Sequence, residues 1–204
     1  MSTTPNTRYE PEIAAPSEVR ADIIEAATRV FSERGYHAAS MSEVAEAVGI
    51  RKASLYHHVR KKEDLLLAIH DKLIDELIAE TMAVSSSSLT PAEKVRGVLH
   101  VTMRFIARNR DAVTVFLSER RAVGGERWRA LVVKRDFYER MVSQIITEGS
   151  TSGSFIEIPP DIAARSILAM ANWGYTWFQP DGALSADEVA EVFATVALRG
   201  LEVR

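Results

Sequence analysis

Residues 40–65 read SMSEVAEAVGIRKASLYHHVRKKEDL, and this stretch decides the fold of the N-terminal part of the chain. It predicts two short helices separated by a turn at Gly49, with a capping box from Ser40 to Glu43 opening the first helix. Cationic residues flank the second helix with no acid among them, namely Arg51, Lys52, Arg60, Lys61 and Lys62. Two short helices around a tight turn, with positive charge on the second, are typical of a helix-turn-helix DNA reader.

The second short helix is the predicted reading element, because an α-helix fits the DNA major groove and meets base edges mainly through its N-terminal residues. Here those residues are Lys52, Ala53 and Ser54. Lysine can donate to guanine acceptors, the alanine methyl can touch a thymine methyl, and serine can hydrogen-bond several bases. Phosphate contacts are expected from Tyr56 and His57.

Further phosphate contacts are expected at the two ends of the stretch. Backbone N–H groups at Ser40 and Met41 open the first helix, whose positive dipole end favours an anion. Lys62 opens the helix that follows the reader and is predicted to clamp the same DNA backbone. Arg51, just before the reading helix, adds a further phosphate-binding charge.

Composition limits the other possibilities. The chain has 204 residues, 47% hydrophobic content and a formal net charge of −3, so a DNA-binding face must be local, as the basic run is. Cysteine is absent, which fits a reducing, cytoplasmic location. Residues 1–16 carry three prolines and no apolar run, so we expect a flexible tail and neither a signal peptide nor a membrane association.

Helical periodicity recurs along the whole chain and predicts an all-α protein of about nine helices. The first helix is predicted from Ser17 to Arg34, and the eighth from Pro160 to Phe178. The long seventh helix is predicted at 126–148, at the centre of the bundle, with residues 149–153 ending it. Capping boxes at Thr90 and Ser185 are predicted to open the fifth and ninth helices. We expect three parts: the tail at 1–16, a helix-turn-helix domain at 17–64, and a ligand-binding and dimerisation bundle at 65–204.

The stretch resembles the tetracycline-repressor (TetR) family of bacterial transcription regulators, whose pattern is approximately T-x-x-D-I-A-x-A-A-G-V-S-x-G-x-L-Y-x-H-F-x-x-K-E-x-L. The chain matches it at Ser40, Glu43, Val44, Ala45, Ala47, Gly49, Ile50, Leu55, Tyr56, His58, Lys62, Glu63 and Leu65. The upstream helix matches as well, through Ile23, Ala26, Ala27, Phe31, Gly35 and Tyr36. Arg51, Ala53 and Val59 depart from the pattern, and Arg51 removes the usual serine cap of the reading helix.

The resemblance implies a homodimer that binds a palindromic double-stranded DNA operator and is released by a small-molecule inducer. The last two long helices carry wide apolar faces that suit a two-fold interface. These faces are Ile167, Leu168, Met170 and Trp173 on one helix and Val189, Val192, Phe193 and Val196 on the other. Side chains expected to contact the inducer are Met103, Phe116, Arg120, Phe137, Tyr138, Met141, Trp173 and Trp177. The alternative is that these residues are ordinary core.

Residues 173–188, WGYTWFQPDGALSADE, narrow the inducer class. They resemble the W-[FY]-x-P-x-G-x-L-[ST]-x-[DE] segment of the acyl-CoA-responsive branch of the family. That resemblance implies a CoA thioester, whose phosphates need cations. The candidates are Arg104, Arg108, Arg120, Arg121, Lys134 and Arg135.

Catalytic and metal-binding patterns are missing from the sequence. The five histidines have no metal-ligand spacing, and neither a glycine-rich phosphate loop nor a G-x-S-x-G elbow occurs. We therefore expect no enzyme activity, metal or cofactor. Two alternatives stay open beside the inducible repressor: a DNA-binding dimer with no small-molecule ligand, and a helical acyl-binding enzyme.

Overall fold

The computed structural model describes residues 20–119 and 125–203, and within these ranges the chain forms nine α-helices. They are α1 (Ala21–Arg34), α2 (Met41–Val48), α3 (Lys52–His58), α4 (Lys62–Ser85), α5 (Pro91–Arg108), α6 (Arg110–Glu119), α7 (Gly125–Thr151), α8 (Pro160–Asn172) and α9 (Ala186–Leu201). Strand pairing in the described ranges amounts to one isolated bridge between Phe155 and Glu202. The all-α prediction is confirmed.

Helices α1 to α3 form the N-terminal unit around a small apolar core. Phe31, Val44 and Leu55 are its buried centre, one from each helix. The predicted capping box opens α2: the Ser40 N–H donates to the Glu43 carboxylate at 2.7 Å, and the Glu43 N–H donates to Ser40 Oγ at 3.2 Å. Gly49 ends α2 with a left-handed φ of 78°, which glycine adopts without a steric cost.

Helix α5 is the centre of the C-terminal bundle. It packs against α4, α6, α7, α8 and α9, and its inward side chains Val95, Val98 and Leu99 are fully buried. The prediction placed α7 at the centre; α7 packs against α4, α5 and α8. Both predicted capping boxes of this half form, at Thr90 before α5 and at Ser185 before α9.

Three helix boundaries differ from the predictions. Helix α1 begins at Ala21, with Arg20 as its N-cap, and the predicted cap Ser17 lies outside the described residues, as does the predicted tail. Helix α8 ends at Asn172, and a 3-10 turn covers Trp173–Thr176. That turn brings Gly174 against α5, where an added Cβ would lie 3.2 Å from Met103 Sδ.

Helix α7 continues to Thr151, three residues past the predicted end at residue 148. A Cβ at Gly149 would lie 2.0 Å from the ring of the buried Phe155. Gly149 is therefore required by side-chain packing within the helix. The chain turns near Gly153, at the far end of the segment that was predicted to end the helix, at a φ of 75°.

Candidate nucleic-acid interface and ligand cavity

Helix α3 presents one exposed face. Lys52, Ala53, Tyr56 and His57 are exposed on it, while Leu55 on the opposite side is fully buried. The spacing i, i+1, i+4, i+5 places the four exposed residues on adjacent rows of one helix surface. Two of the three predicted base-reading residues and both predicted phosphate contacts of this helix therefore lie together where a DNA groove could receive them.

The remaining residues of the predicted reading surface are placed as follows. Ser54 is only half exposed. Arg51 is exposed and is the N-cap of α3, without a side-chain hydrogen bond to the helix, as expected once serine is replaced.

A buried acid holds the backbone of two cationic residues that follow α3. Asp64, buried at the start of α4, accepts hydrogen bonds from the backbone N–H groups of Arg60 (2.9 Å) and Lys61 (3.1 Å). Those two side chains and the side chains of Arg51 and Lys52 are exposed. None of the four forms an ion pair with a residue in the described part of the chain, so all four charges can face phosphates.

The start of α2 offers less to a phosphate than predicted. The Ser40 N–H is already bonded to Glu43, whose carboxylate also brings negative charge to this end. The Met41 side chain is buried in the core, so only its backbone N–H can contribute. Of the two predicted donors, only the backbone N–H of Met41 can therefore bind a phosphate here.

Lys62 has a different role from the predicted phosphate clamp. Its ammonium donates to three backbone carbonyls in the loop between α1 and α2: Tyr36 O at 2.6 Å, Ala39 O at 3.0 Å and His37 O at 3.1 Å. It also lies 4.6 Å from the centre of the Tyr36 ring, a cation–π distance. An ammonium has three N–H donors, so all three are used inside the protein. Lys62 joins α4 to the N-terminal unit.

Helix α6 makes a second connection to the N-terminal unit. It packs against α1, and Glu119 Oε2 lies 3.0 Å from His37 Nε2. His37 belongs to the loop whose carbonyls accept the hydrogen bonds of Lys62. The loop at residues 35–39 thus contacts the first residue of α4 and the last residue of α6.

A cavity of about 440 Å³ lies between α4, α5, α6, α7 and α8, and the 3-10 turn closes one side of it. This is within the size range of small-molecule sites. Its apolar wall includes Leu73, Leu77, Phe105, Ile106, Val113 and Leu131. Trp173 and Arg135 also line it and are well exposed, so the cavity reaches the surface beside them.

Three of the predicted inducer contacts line this cavity: Phe116, Tyr138 and Trp173. Four do not, namely Met103, Phe137, Met141 and Trp177, and Arg120 lies outside the described residues. Met103 is fully buried against Gly174, and Met141 is buried within the bundle core. Trp177 packs edge-on against Phe193 at 6.2 Å, away from the cavity. Helical periodicity marks such residues as inward-facing but does not separate cavity wall from filled core.

The polar lining residues His70 and Thr102 were not among the predicted contacts, and Arg135 was named only as a candidate partner for ligand phosphates. Thr102 Oγ1 donates to Val98 O at 2.8 Å, so its lone pairs accept the Tyr138 hydroxyl at 3.0 Å. Burial raises the pKa of Tyr138 to about 12, so this hydroxyl stays protonated. The sequence does contain one sign of His70: it lies on the same helical stripe of α4 as the apolar residues Leu66, Leu73 and Leu77.

His70 is buried, and its ring packs on the Phe116 ring with centroids 4.0 Å apart. Burial lowers the pKa of His70 to about 3, and the positive charges of Lys134 and Arg135 act in the same direction. Next to it, Lys134 Nζ pairs with Asp71 at 3.0 Å and Asp75 at 2.9 Å, which fixes α4 to α7. The imidazole is therefore neutral near pH 7.

Neither a metal centre nor a membrane span occurs in the described ranges. No cluster of three or more histidines, aspartates or glutamates there could hold a metal ion. None of the helices in those ranges is long and apolar enough to cross a membrane.

A basic reading helix joined through α4 and α6 to a ligand-sized cavity is the arrangement of a DNA-binding regulator that responds to a small molecule. The sequence profile described as "Bacterial regulatory proteins, tetR family" matches residues 23–69, and that of the "Tetracyclin repressor-like, C-terminal domain" matches residues 88–201. The chain belongs to the tetR family of DNA-binding transcriptional regulators and is not an enzyme.

Individual relatives agree over most of the chain. The HTH-type transcriptional repressor KstR2 of Mycolicibacterium smegmatis is 26% identical, over 91% of this chain and 92% of its own. The structure of PfmR from Thermus thermophilus is 32% identical with a TM-score of 0.82, covering 89% of this chain and 99% of that one. AibR, solved with isovaleryl coenzyme A and operator DNA, is 29% identical with a TM-score of 0.77. The match covers 85% of this chain and 95% of the AibR chain.

The role of Lys62 is testable by Lys62→Met, which keeps the aliphatic stem and removes the three hydrogen bonds. A hydrogen bond to a charged group contributes about 1.5–3 kcal/mol. Because the three carbonyls are only partly buried and can bond to water instead, we expect a total loss of about 2 kcal/mol in the free energy of unfolding. Urea denaturation at one fixed protein concentration measures it. The exposed neighbour Lys61 provides the control, and Lys61→Met should leave the midpoint nearly unchanged. Equal stability of the two variants would contradict the structural role.

Proposed function

We propose that this protein is a homodimeric repressor that binds a palindromic operator and is released when a small molecule enters the cavity. The observation that carries the proposal is that the cavity is built on α4 and α6, the two helices that contact the loop at residues 35–39. His70 lies eight residues after Lys62, about 12 Å along the helix. Phe116 lies three residues before Glu119.

A ligand in the cavity would act on both connections at once. It would touch His70 on α4 and Phe116 on α6, whose rings are already in contact. A shift of either helix would move the loop that carries Tyr36 and His37, and the reading helix with it. The ligand favours release only as far as it binds the released conformation more tightly.

The inducer class that we propose is a CoA thioester with a short apolar acyl group. The wall of the cavity is apolar, and AibR was solved with isovaleryl coenzyme A. Of the cations named as phosphate partners, Arg104 is paired with Asp187, Arg108 with Glu80 and Lys134 with two aspartates.

Arg135 is the remaining described candidate for the phosphates. It lines the cavity, is half exposed, and has acids only at 3.7 and 3.8 Å. Arg120 and Arg121 lie outside the described residues.

Dimerisation is proposed through α8 and α9. Ile167, Leu168 and Val189 were expected at this interface, but they are buried within the protomer. Val192 and Val196, 54% and 58% exposed and one turn apart on α9, form an apolar stripe that a second copy would cover. Two reading helices then meet two half-sites about one DNA turn apart.

The interface can be tested by Val196→Asp. A carboxylate at this exposed position should leave the protomer folded but be buried without a partner in the dimer, so we expect a monomer. Light scattering coupled to size exclusion measures the mass, and operator affinity should fall with it. Val133, an exposed valine on α7, gives the matched control: Val133→Asp should stay dimeric. A dimeric Val196→Asp protein would refute this interface.

Base reading by Lys52 can be tested on an operator selected in vitro from random duplexes. In Lys52→Ala, we expect the discrimination against the wrong base at one position per half-site to shrink by about 1–3 kcal/mol. Competition binding against single-base-pair variants measures it. Lys72→Ala, an exposed lysine on α4, serves as the control and should keep both affinity and preference. A uniform loss of affinity with unchanged preference would assign Lys52 to phosphate instead.

Ligand response separates the inducible repressor from a DNA-binding dimer with no ligand. Isovaleryl-CoA should raise the melting temperature of the free protein, because it binds only the folded state, and should release the selected operator. Free CoA is the control for contacts made by the phosphates alone. If a panel of short acyl-CoAs neither raises the melting temperature nor releases DNA, the ligand-free alternative is favoured.

A further inference from the structure

The polar groups of the cavity wall point to a specific ligand atom. Among the described lining residues, His70 is the buried one whose side chain makes no hydrogen bond within the protein: its Nδ1 is shielded from solvent and from the cavity and has no partner. The Tyr138 hydroxyl, by contrast, already donates to Thr102. The cavity therefore contains one ring whose hydrogen-bonding capacity is unused.

The shielded nitrogen decides how the ring can act. A neutral imidazole has one N–H donor and one acceptor. Burying an unpaired N–H is rarer in proteins than leaving an acceptor under-used, which favours the acceptor at Nδ1 and places the proton on Nε2. Since Nδ1 is shielded, only Nε2 can reach a ligand. His70 thus presents an N–H donor to the cavity.

The location of His70 indicates which part of the ligand it meets. The positive charge of Arg135, at the exposed end of the cavity, acts on His70, while the apolar wall of Leu73, Leu77 and Ile106 continues from there. Because the thioester carbonyl is bonded directly to the acyl chain, an acyl group against that wall places the carbonyl at the polar edge of the wall, where His70 lies. The pantetheine arm then leads out past Arg135 towards the phosphates.

We infer that His70 Nε2 donates a hydrogen bond to the thioester carbonyl oxygen of the ligand, and so distinguishes a thioester from other apolar adducts of CoA. This inference rests on the proposed acyl-CoA inducer and adds the residue that reads the reactive group. The Phe116 ring, packed on the imidazole, holds the donor in position. His70 is a specificity residue, whereas the apolar wall selects the size of the acyl group.

The test compares two probes that differ in one oxygen: isovaleryl-CoA and its thioether analogue S-isopentyl-CoA, which lacks the carbonyl. For the wild-type protein we expect the thioester to bind about fivefold more tightly, the contribution of one neutral hydrogen bond. In His70→Phe, which keeps an aromatic ring on Phe116, the two probes should bind equally. Isothermal titration calorimetry measures both dissociation constants.

Two further variants protect the test against a folding defect. His70→Gln retains an N–H donor and should keep part of the preference for the thioester. Leu73→Met changes the same wall at nearly constant volume and should keep all of it.

The contradicting outcomes are distinct. A wild-type protein that binds both probes equally, or a His70→Phe protein that still prefers the thioester, would overturn the role of His70 while leaving the proposed function intact. If the wild-type protein binds neither probe nor any other member of the panel of short acyl-CoAs, the acyl-CoA inducer itself is refuted, and this inference with it.

Discussion

The coupling between the two halves of the molecule depends on the three hydrogen bonds from the Lys62 ammonium to the loop between α1 and α2. A cation at the first residue of a helix is opposed by the helix dipole, which favours anions there. Glu63 and Asp64 in the same turn offset that cost. The position of Lys62 therefore reflects the loop carbonyls that it holds, and any displacement of the start of α4 must move that loop or break these bonds.

A second contact connects the same loop to α6. Because Glu119 at the end of α6 meets His37 in the same loop, the loop cannot follow α4 without a change at α6 as well. The His70–Phe116 ring contact joins the same two helices at the cavity. The loop and the ring pair therefore both connect α4 to α6. Under the proposed mechanism, a ligand that separates the rings would change the geometry at the loop.

Local patterns in the sequence predicted the elements well, because helix caps and periodicity are properties of neighbouring residues. The capping boxes at Ser40, Thr90 and Ser185 all form. The errors concern packing between distant elements. The predicted end of the long helix at residue 148 is too early, because the packing of Gly149 against Phe155 cannot be identified from the helix alone. The carbonyl partners of Lys62 lie more than twenty residues upstream, where the local pattern does not show them. Met103 and Trp177 failed as cavity residues for the same reason.

At His70, in contrast, the residue type itself indicates the site. A histidine within an apolar run carries a desolvation cost that leucine would not, and here the cost is visible as a ring that stays neutral and lacks any hydrogen bond within the described protein. Packing does not explain the choice, since a leucine or phenylalanine could lie against Phe116 equally well. The polar group is explained if its partner is not part of the chain, and the cavity that the ring lines is where such a partner would lie.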